Sequence, residues 1–156
     1  MRKVLVTFLL LTGCAFLAPA QELEGLNVDP ERAMTKKDVI EKFGEPVNFR
    51  AYTAEDAGII EDVYTYDGFV VSFEEGVLSD FLIKKRGIKV LTKTISGGVQ
   101  VGDSFSKISS LPFDNRGVKE DGTIQYDHWY NGNDTSILTF FIKNNIIQKI
   151  DFQVAP

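Results

Sequence analysis

The sequence predicts an α+β fold: two tandem units, each a helical segment followed by a three-stranded antiparallel meander, joined into a two-layer sheet with helices on one face. Three observations carry this expectation. Apolar residues recur at helical spacing in two short stretches, 35–43 and 103–111. Each stretch is followed by runs that alternate apolar and polar residues, punctuated by Asp-Gly, Glu-Gly, Asn-Gly and Asn-Asn pairs. The second set of runs also lays onto the first in a single register.

In chain order, residues 1–20 read as a signal peptide, 21–33 as a polar lead-in, 34–93 as the first unit and 94–156 as the second. Met1-Arg2-Lys3 is cationic, Val4 to Leu17 is almost wholly apolar, and Ala18-Pro19-Ala20 supplies the small-residue cleavage site. The apolar run is shorter than the ~20 residues a membrane-spanning helix needs, and no later run is longer. Leu11-Thr12-Gly13-Cys14 offers a second reading, a lipobox with Cys14 acylated, although the apolar Ala15-Phe16-Leu17 that follows favours cleavage after Ala20. Both readings export the chain. Cleavage removes Arg2, Lys3 and Cys14, leaving 15 basic and 22 acidic residues, a net charge of −7.

Thr35 can cap a helix through Phe43, with Val39, Ile40 and Phe43 on one face, and Gly44 and Pro46 end it. In the second unit Asp103 or Ser104 caps a shorter helix carrying Phe105, Ile108 and Leu111, closed by Pro112. Strands follow over 62–66, 69–74 and 77–84, and again over 124–130, 137–143 and 146–154. Val77, Ser79, Phe81 and Ile83 share a strand face by alternation. With Val77 on Ile146, Phe73 falls on Ile142, Val71 on Phe140, Phe81 on Ile150 and Ile83 on Phe152. Between the units, Val90-Leu91-Thr92 is strand-like and Gly97-Gly98 reads as a hinge.

Composition excludes several function classes. The chain has 156 residues, 44% hydrophobic and 25% charged, which suits a folded domain and not a disordered one. Its net charge of −5 argues against nucleic acid as partner. One Cys and one His allow neither an internal disulfide nor a closed zinc site, and no motif calls for a metal or another cofactor. No nucleophile elbow, zinc-protease motif, phosphate loop or dinucleotide fingerprint is present. The carboxylate pairs Glu55-Asp56, Glu61-Asp62 and Glu74-Glu75 are neighbours in sequence, and the strand pair Glu61-Asp62 points to opposite faces. No catalytic residue is assigned, and a non-enzymatic role is expected.

Aromatic residues are the stronger signal. Tyr64 and Tyr66 share one strand face; Tyr126, His128 and Tyr130 share another; Trp129 points to the opposite side of its strand. Such side chains combine large contact area with a polar tip, so Tyr66, Tyr126, His128, Trp129 and Tyr130 are the expected partner-binding residues. Periodicity alone leaves open whether the tyrosine stripes face outward or lie under the helices. The basic run Lys84-Lys85-Arg86 reads either as a polyanion contact or as an exposed strand end whose lysines discourage edge pairing.

The stretch Ala33-Met34-Thr35-Lys36-Lys37-Asp38-Val39-Ile40-Glu41-Lys42-Phe43-Gly44-Glu45-Pro46, followed by Val63-Tyr64-Thr65-Tyr66 and Val71-Ser72-Phe73-Glu74-Glu75-Gly76-Val77-Leu78, resembles the SmpA/OmlA (BamE-like) domain. In tandem, over residues 34–154, the pattern is similar to the β-lactamase-inhibitor protein fold. The resemblance implies a protein-binding or scaffold module of the cell envelope, in the periplasm or on the periplasmic face of the outer membrane, acting as an accessory of outer-membrane assembly. The alternative it implies is an inhibitor of a secreted or periplasmic hydrolase, gripping its target with a concave sheet and probing it with Asp67-Gly68 or Asn131–Ser136.

Overall fold

A threonine with an acid three residues on satisfies two amides that a helix start leaves open. In the computed structural model, which describes residues 25–54, 59–129 and 136–154, the Asp38 N–H donates to the Thr35 hydroxyl at 3.3 Å. The Thr35 N–H returns a bond to the Asp38 carboxylate at 2.8 Å. Losing such a cap typically costs about 1 kcal/mol. Helix α1 then runs Lys36–Phe43 and stops at Gly44, whose N–H donates to the Ile40 carbonyl at 2.8 Å. Val39 is fully buried, and Phe43 meets Phe69 edge-on at 5.1 Å.

Strands make up most of the rest. In chain order they are β1 (Gly25–Asn27), β2 (Asn48–Ala54), β3 (Ile59–Tyr66), β4 (Phe69–Glu74), β5 (Val77–Ile83), β6 (Lys89–Leu91), β7 (Val99–Gln100), β8 (Asn115–Val118), β9 (Ile124–Trp129), β10 (Ser136–Lys143) and β11 (Ile146–Val154). Eight form one antiparallel sheet in the order β2-β3-β4-β5-β11-β10-β9-β8. The other three form a small sheet, β1-β6-β7, in which β1 runs parallel to β6.

This overturns the expected α+β arrangement of two helix-plus-three-stranded-meander units. The molecule is mostly β, and α1 is the one α-helix among the described residues. Each meander gains a fourth, outer strand, β2 or β8, whose residues lack clean alternation because they sit at sheet edges. The expected second helix is a chain of three-residue turns. Lys107 bonds back to Ser104, Ile108 to Phe105 and Leu111 to Ile108, each from N–H to the third carbonyl before it. The Ser104 hydroxyl accepts from the Ser106 N–H and the Ser109 hydroxyl donates to the Ser106 carbonyl, local bonds that compete with an α-helix, and Pro112 ends the run. Ile108 and Leu111 are buried regardless.

The recurrence that does hold is narrower and lies in the backbone. Thr35 bridges Val77, and Ser104 bridges Ile146. The Leu78 N–H donates to the Met34 carbonyl at 2.8 Å, and the Ile147 N–H to that of Asp103 at 2.9 Å. Each hairpin also carries a bulge, beside Phe73 in one and beside Ile142 in the other. A bulge inserts one residue, so Leu78 and not Val77 pairs Phe73 on the core face. Val77 is 42% exposed and Ile146 36%, where strict alternation puts both inside.

The core occupies one face of the eight-stranded sheet. Phe69, Val71, Phe73, Phe81, Ile83, Leu138, Phe140, Ile142, Ile150 and Phe152 pack there against α1, the small sheet and the Phe105–Leu111 turns. Phe73 and Phe140 are fully buried, each contributing roughly 1.5–3 kcal/mol of apolar transfer energy. Among the described residues, no helix is long and apolar enough to cross a membrane.

Candidate docking surface

Strand alternation and the pairing register decide which aromatic faces which way. Tyr64 pairs Val71 and Tyr66 pairs Phe69, so both share the core face. Tyr66 is 7% exposed; its hydroxyl donates to the Gly44 carbonyl at 3.1 Å and its ring stacks on Phe69 at 4.5 Å. Burial is the main cause raising its phenol above the ordinary value, with Tyr64 and Glu45 adding to it. Tyr126 pairs Phe140 and His128 pairs Leu138, again on the core face. Tyr126 stacks on Phe105 at 4.8 Å with the Arg116 guanidinium at 5.8 Å from its ring. His128 is 5% exposed, and its Nδ1 lies 2.8 Å from the Pro112 carbonyl, which makes Nδ1 a donor.

Of the five residues expected to bind a partner, Tyr66 and His128 are therefore packed beneath the covering segments, and Tyr126 is half-buried among rings. Trp129 stands on the opposite face, its backbone N–H donating to the Asp114 carboxylate at 2.9 Å. The structure does not bring these side chains to one surface. Tyr130, the loop 131–135 and Cys14 lie outside the described residues, as does the signal segment 1–20. In the other expected probing loop, Asp67 pairs with Lys85 at 2.6 Å. Lys84-Lys85-Arg86 follow β5, which is paired on both sides, so these residues do not guard a sheet edge.

Among the described residues, the core cluster leaves the opposite face uncovered, although Ser72, Asp127 and Thr139 on it are buried by their neighbours. Across the strands its middle row runs Thr65, Val70, Leu82, Asp151, Thr139 and Asp127. A flanking row runs Arg50, Val63, Ser72, Asp80, Gln153, Ile137 and Trp129. Tyr52 lies at the outer edge, 49% exposed. At the β9 side the buried Asp127 carboxylate accepts from Gln125 (2.9 Å), Thr139 (3.0 Å) and Asn115 (3.2 Å). Phe141 is covered by two cations, with the Lys149 ammonium 3.5 Å and the Lys119 ammonium 5.3 Å from its ring centre.

The seam between β5 and β11 brings three shifted groups together. Burial raises Asp80 above the ordinary carboxylate value, and Glu61, Glu74 and Asp151 add to the rise, against the Ser79 hydroxyl. Burial also raises Asp151, against Lys149 and the Phe152 N–H. Burial lowers Lys149, opposed by Asp151 and assisted by Lys119 and Lys84. Both carboxyls shift in the same direction from the same main cause. Among the described residues no group of three His, Cys, Asp or Glu side chains is placed to hold a metal ion.

Sequence reasoning missed Leu82, Asp80, Asp151 and Lys149. The alternation Leu82/Phe81 was readable, but which of the two faces is covered depends on where α1 and the small sheet lie. The tyrosines divide between the faces: Tyr64, Tyr66 and Tyr126 lie on the covered side and Tyr52 on the open one.

No protein-family model matches the chain, and no curated protein matches it. The SmpA/OmlA resemblance therefore gains no support. Similar solved structures include an extracellular protein containing an SCP domain from Bacillus anthracis, at 10% identity over 78% of this chain and 43% of that one, with a TM-score of 0.47. A DUF4309 family protein from Bacillus subtilis matches at 13% identity over 77% of this chain and 78% of that one, with a TM-score of 0.37. A candidate β-lactamase inhibitor protein from Streptococcus mutans matches at 12% identity over 77% and 82%, with a TM-score of 0.31. This chain spans less than half the length of the Bacillus anthracis protein. Likenesses at these TM-scores carry no argument about function, which rests on the geometry of the sheet.

Proposed function

We propose that the chain is an exported, non-enzymatic protein-binding module that docks a folded partner on the open face of its eight-stranded sheet. One observation carries this reading. Among the described residues the core cluster lies on one face of the sheet, leaving the other to present exposed Tyr52 and half-buried Leu82, Ile137 and Trp129 among Arg50, Asp80, Asp151 and Lys149. Large apolar groups interleaved with charges are what a specific interface requires. Seven strand spacings of ~4.8 Å make the face about 34 Å wide, room for the roughly 800 Å² per partner of a stable complex.

A wide, stiff surface suits a folded target better than an extended segment. The partner class we place first is a secreted or periplasmic hydrolase, held by the open face. The role of outer-membrane assembly accessory stands behind it, because it rests on the SmpA/OmlA resemblance alone. Export follows from residues 1–20 in either reading of Cys14.

Inhibition assays against a panel of purified exported hydrolases, β-lactamases included, test the reading. One enzyme should be inhibited by the wild type and at least tenfold more weakly by Leu82→Arg, which places a long cation at the centre of the face. Inhibition that is unchanged in Leu82→Arg removes the open face as the docking surface, and inhibition absent across the panel removes the hydrolase as partner.

A further inference from the structure

We propose that the chain forms a two-fold symmetric dimer through the outer edge of β2, which pairs antiparallel with β2 of a second copy. This edge is separate from the open face, and the dimer does not depend on what docks there. A strand at a sheet edge leaves alternate N–H and C=O groups unpaired, so natural sheets keep their edges short, charged or covered. The β8 edge follows that practice: it has four residues, includes Arg116 and runs on into Lys119, Glu120 and Asp121. Strand β2 does not. It has seven residues, contains no proline, lysine or acid, and is exposed from Asn48 through Thr53 on both faces. Val47, Phe49 and Tyr52 are large apolar side chains left in solvent along it.

A symmetric edge pairing needs a self-complementary pattern, and β2 has one. Centred on Ala51, the pairing engages all seven residues and sets Arg50 of each copy opposite Tyr52 of the other. Arg50 and Tyr52 share the open face, where they pair Val63 and Glu61 of β3. A guanidinium against a tyrosine ring is favourable. Beyond that ring lies Glu61, which stands directly opposite Glu74, and like charges so placed repel. Neither carboxylate has an ion-pair partner among the described residues. Arg50 of the second copy, two strand spacings or about 10 Å from Glu61, brings a cation toward that pair. Centring on Arg50 instead sets two cations face to face. The axis is normal to the sheet, so both open faces stay on one side and the two eight-stranded sheets become continuous.

Sedimentation equilibrium of the purified chain should show a reversible monomer–dimer equilibrium. Tyr52→Lys places a cation against Arg50 of the other copy while pairing with Glu61 in its own sheet. It should weaken dimerisation at least tenfold and leave the fold, read by circular dichroism, intact. The register has its own test. In a Cys14→Ser background an introduced thiol is the only one. Ala51→Cys puts it directly across the axis, where opposed Cα atoms are about 4.5–5.5 Å apart, within disulfide reach, so oxidation should give a covalent dimer. Thr53→Cys, with the two thiols about 14 Å apart along the paired strands, should not. A chain that stays monomeric at every concentration, a dimer that Tyr52→Lys leaves intact, no bridge in Ala51→Cys, or equal bridging in Thr53→Cys overturns the proposal.

Discussion

At the scale of single residues, the seam carboxylates make a signed prediction. Asp80 and Asp151 have folded-state values above the ordinary 3.8, chiefly through burial. Their ionised forms therefore cost stability. The penalty is fully present above the folded value and vanishes as pH falls below the unfolded one. Asp80→Asn and Asp151→Asn should each raise Tm at pH 7, and that gain should disappear below about pH 3.8, as read by calorimetry across pH. A gain that persists at low pH would show that repacking, not charge burial, is responsible. Asp127 is the contrast, a buried carboxylate with three donors, and its loss should destabilise because Thr139 is left buried without its acceptor. These environments were not legible in the sequence. Asp80 and Asp151 are 71 positions apart, and only the register of β5 against β11 puts them on one patch.

At the scale of elements, hairpins and their turns were the most legible part, because their signals are local. Glu75-Gly76 and Asn144-Asn145 both take positive φ, 50° and 84° in the first and 53° and 62° in the second. That is the turn whose twist matches antiparallel strands. Glutamate is a poor residue for it, since an L side chain there costs roughly 1–2 kcal/mol. Glu75→Asn, giving Asn-Gly, should stabilise by about 0.5–1 kcal/mol in urea unfolding; no gain would mean that the Glu75 side chain holds contacts that offset the strain. The helix Lys36–Phe43 was equally legible, through Thr35, Gly44 and Pro46. The bulges were not, because an inserted residue leaves no compositional mark, and the alternation 77/79/81/83 looks unbroken. The second helix was misread for a related reason: Phe105, Ile108 and Leu111 are three apart, a spacing that successive three-residue turns satisfy as well as an α-helix.

At the scale of the whole molecule, the two meanders join through four residue pairs between β5 and β11, from Ile83 with Ile150 to Asp80 with Gln153. Phe81 and Phe152 stack across that seam at 5.2 Å. One side of the resulting sheet is closed by α1, the small sheet and the Phe105–Leu111 turns; among the described residues, the other is open at its centre. Which face is covered is a long-range property, and this is why periodicity left open the side taken by Tyr66, Tyr126 and His128, which the fold places on the covered side. The central claim is that the open face does the binding. Its most direct test is partner binding by immobilised wild-type, Leu82→Arg and Phe49→Arg chains, using the exported fraction of the source cells and confirming each variant's Tm. Phe49 is 53% exposed at the rim of the covered side, so its substitution is a matched control. The account predicts that Leu82→Arg loses at least tenfold in affinity for the captured protein while Phe49→Arg binds as the wild type does. Full binding by Leu82→Arg, with loss in Phe49→Arg, would contradict it.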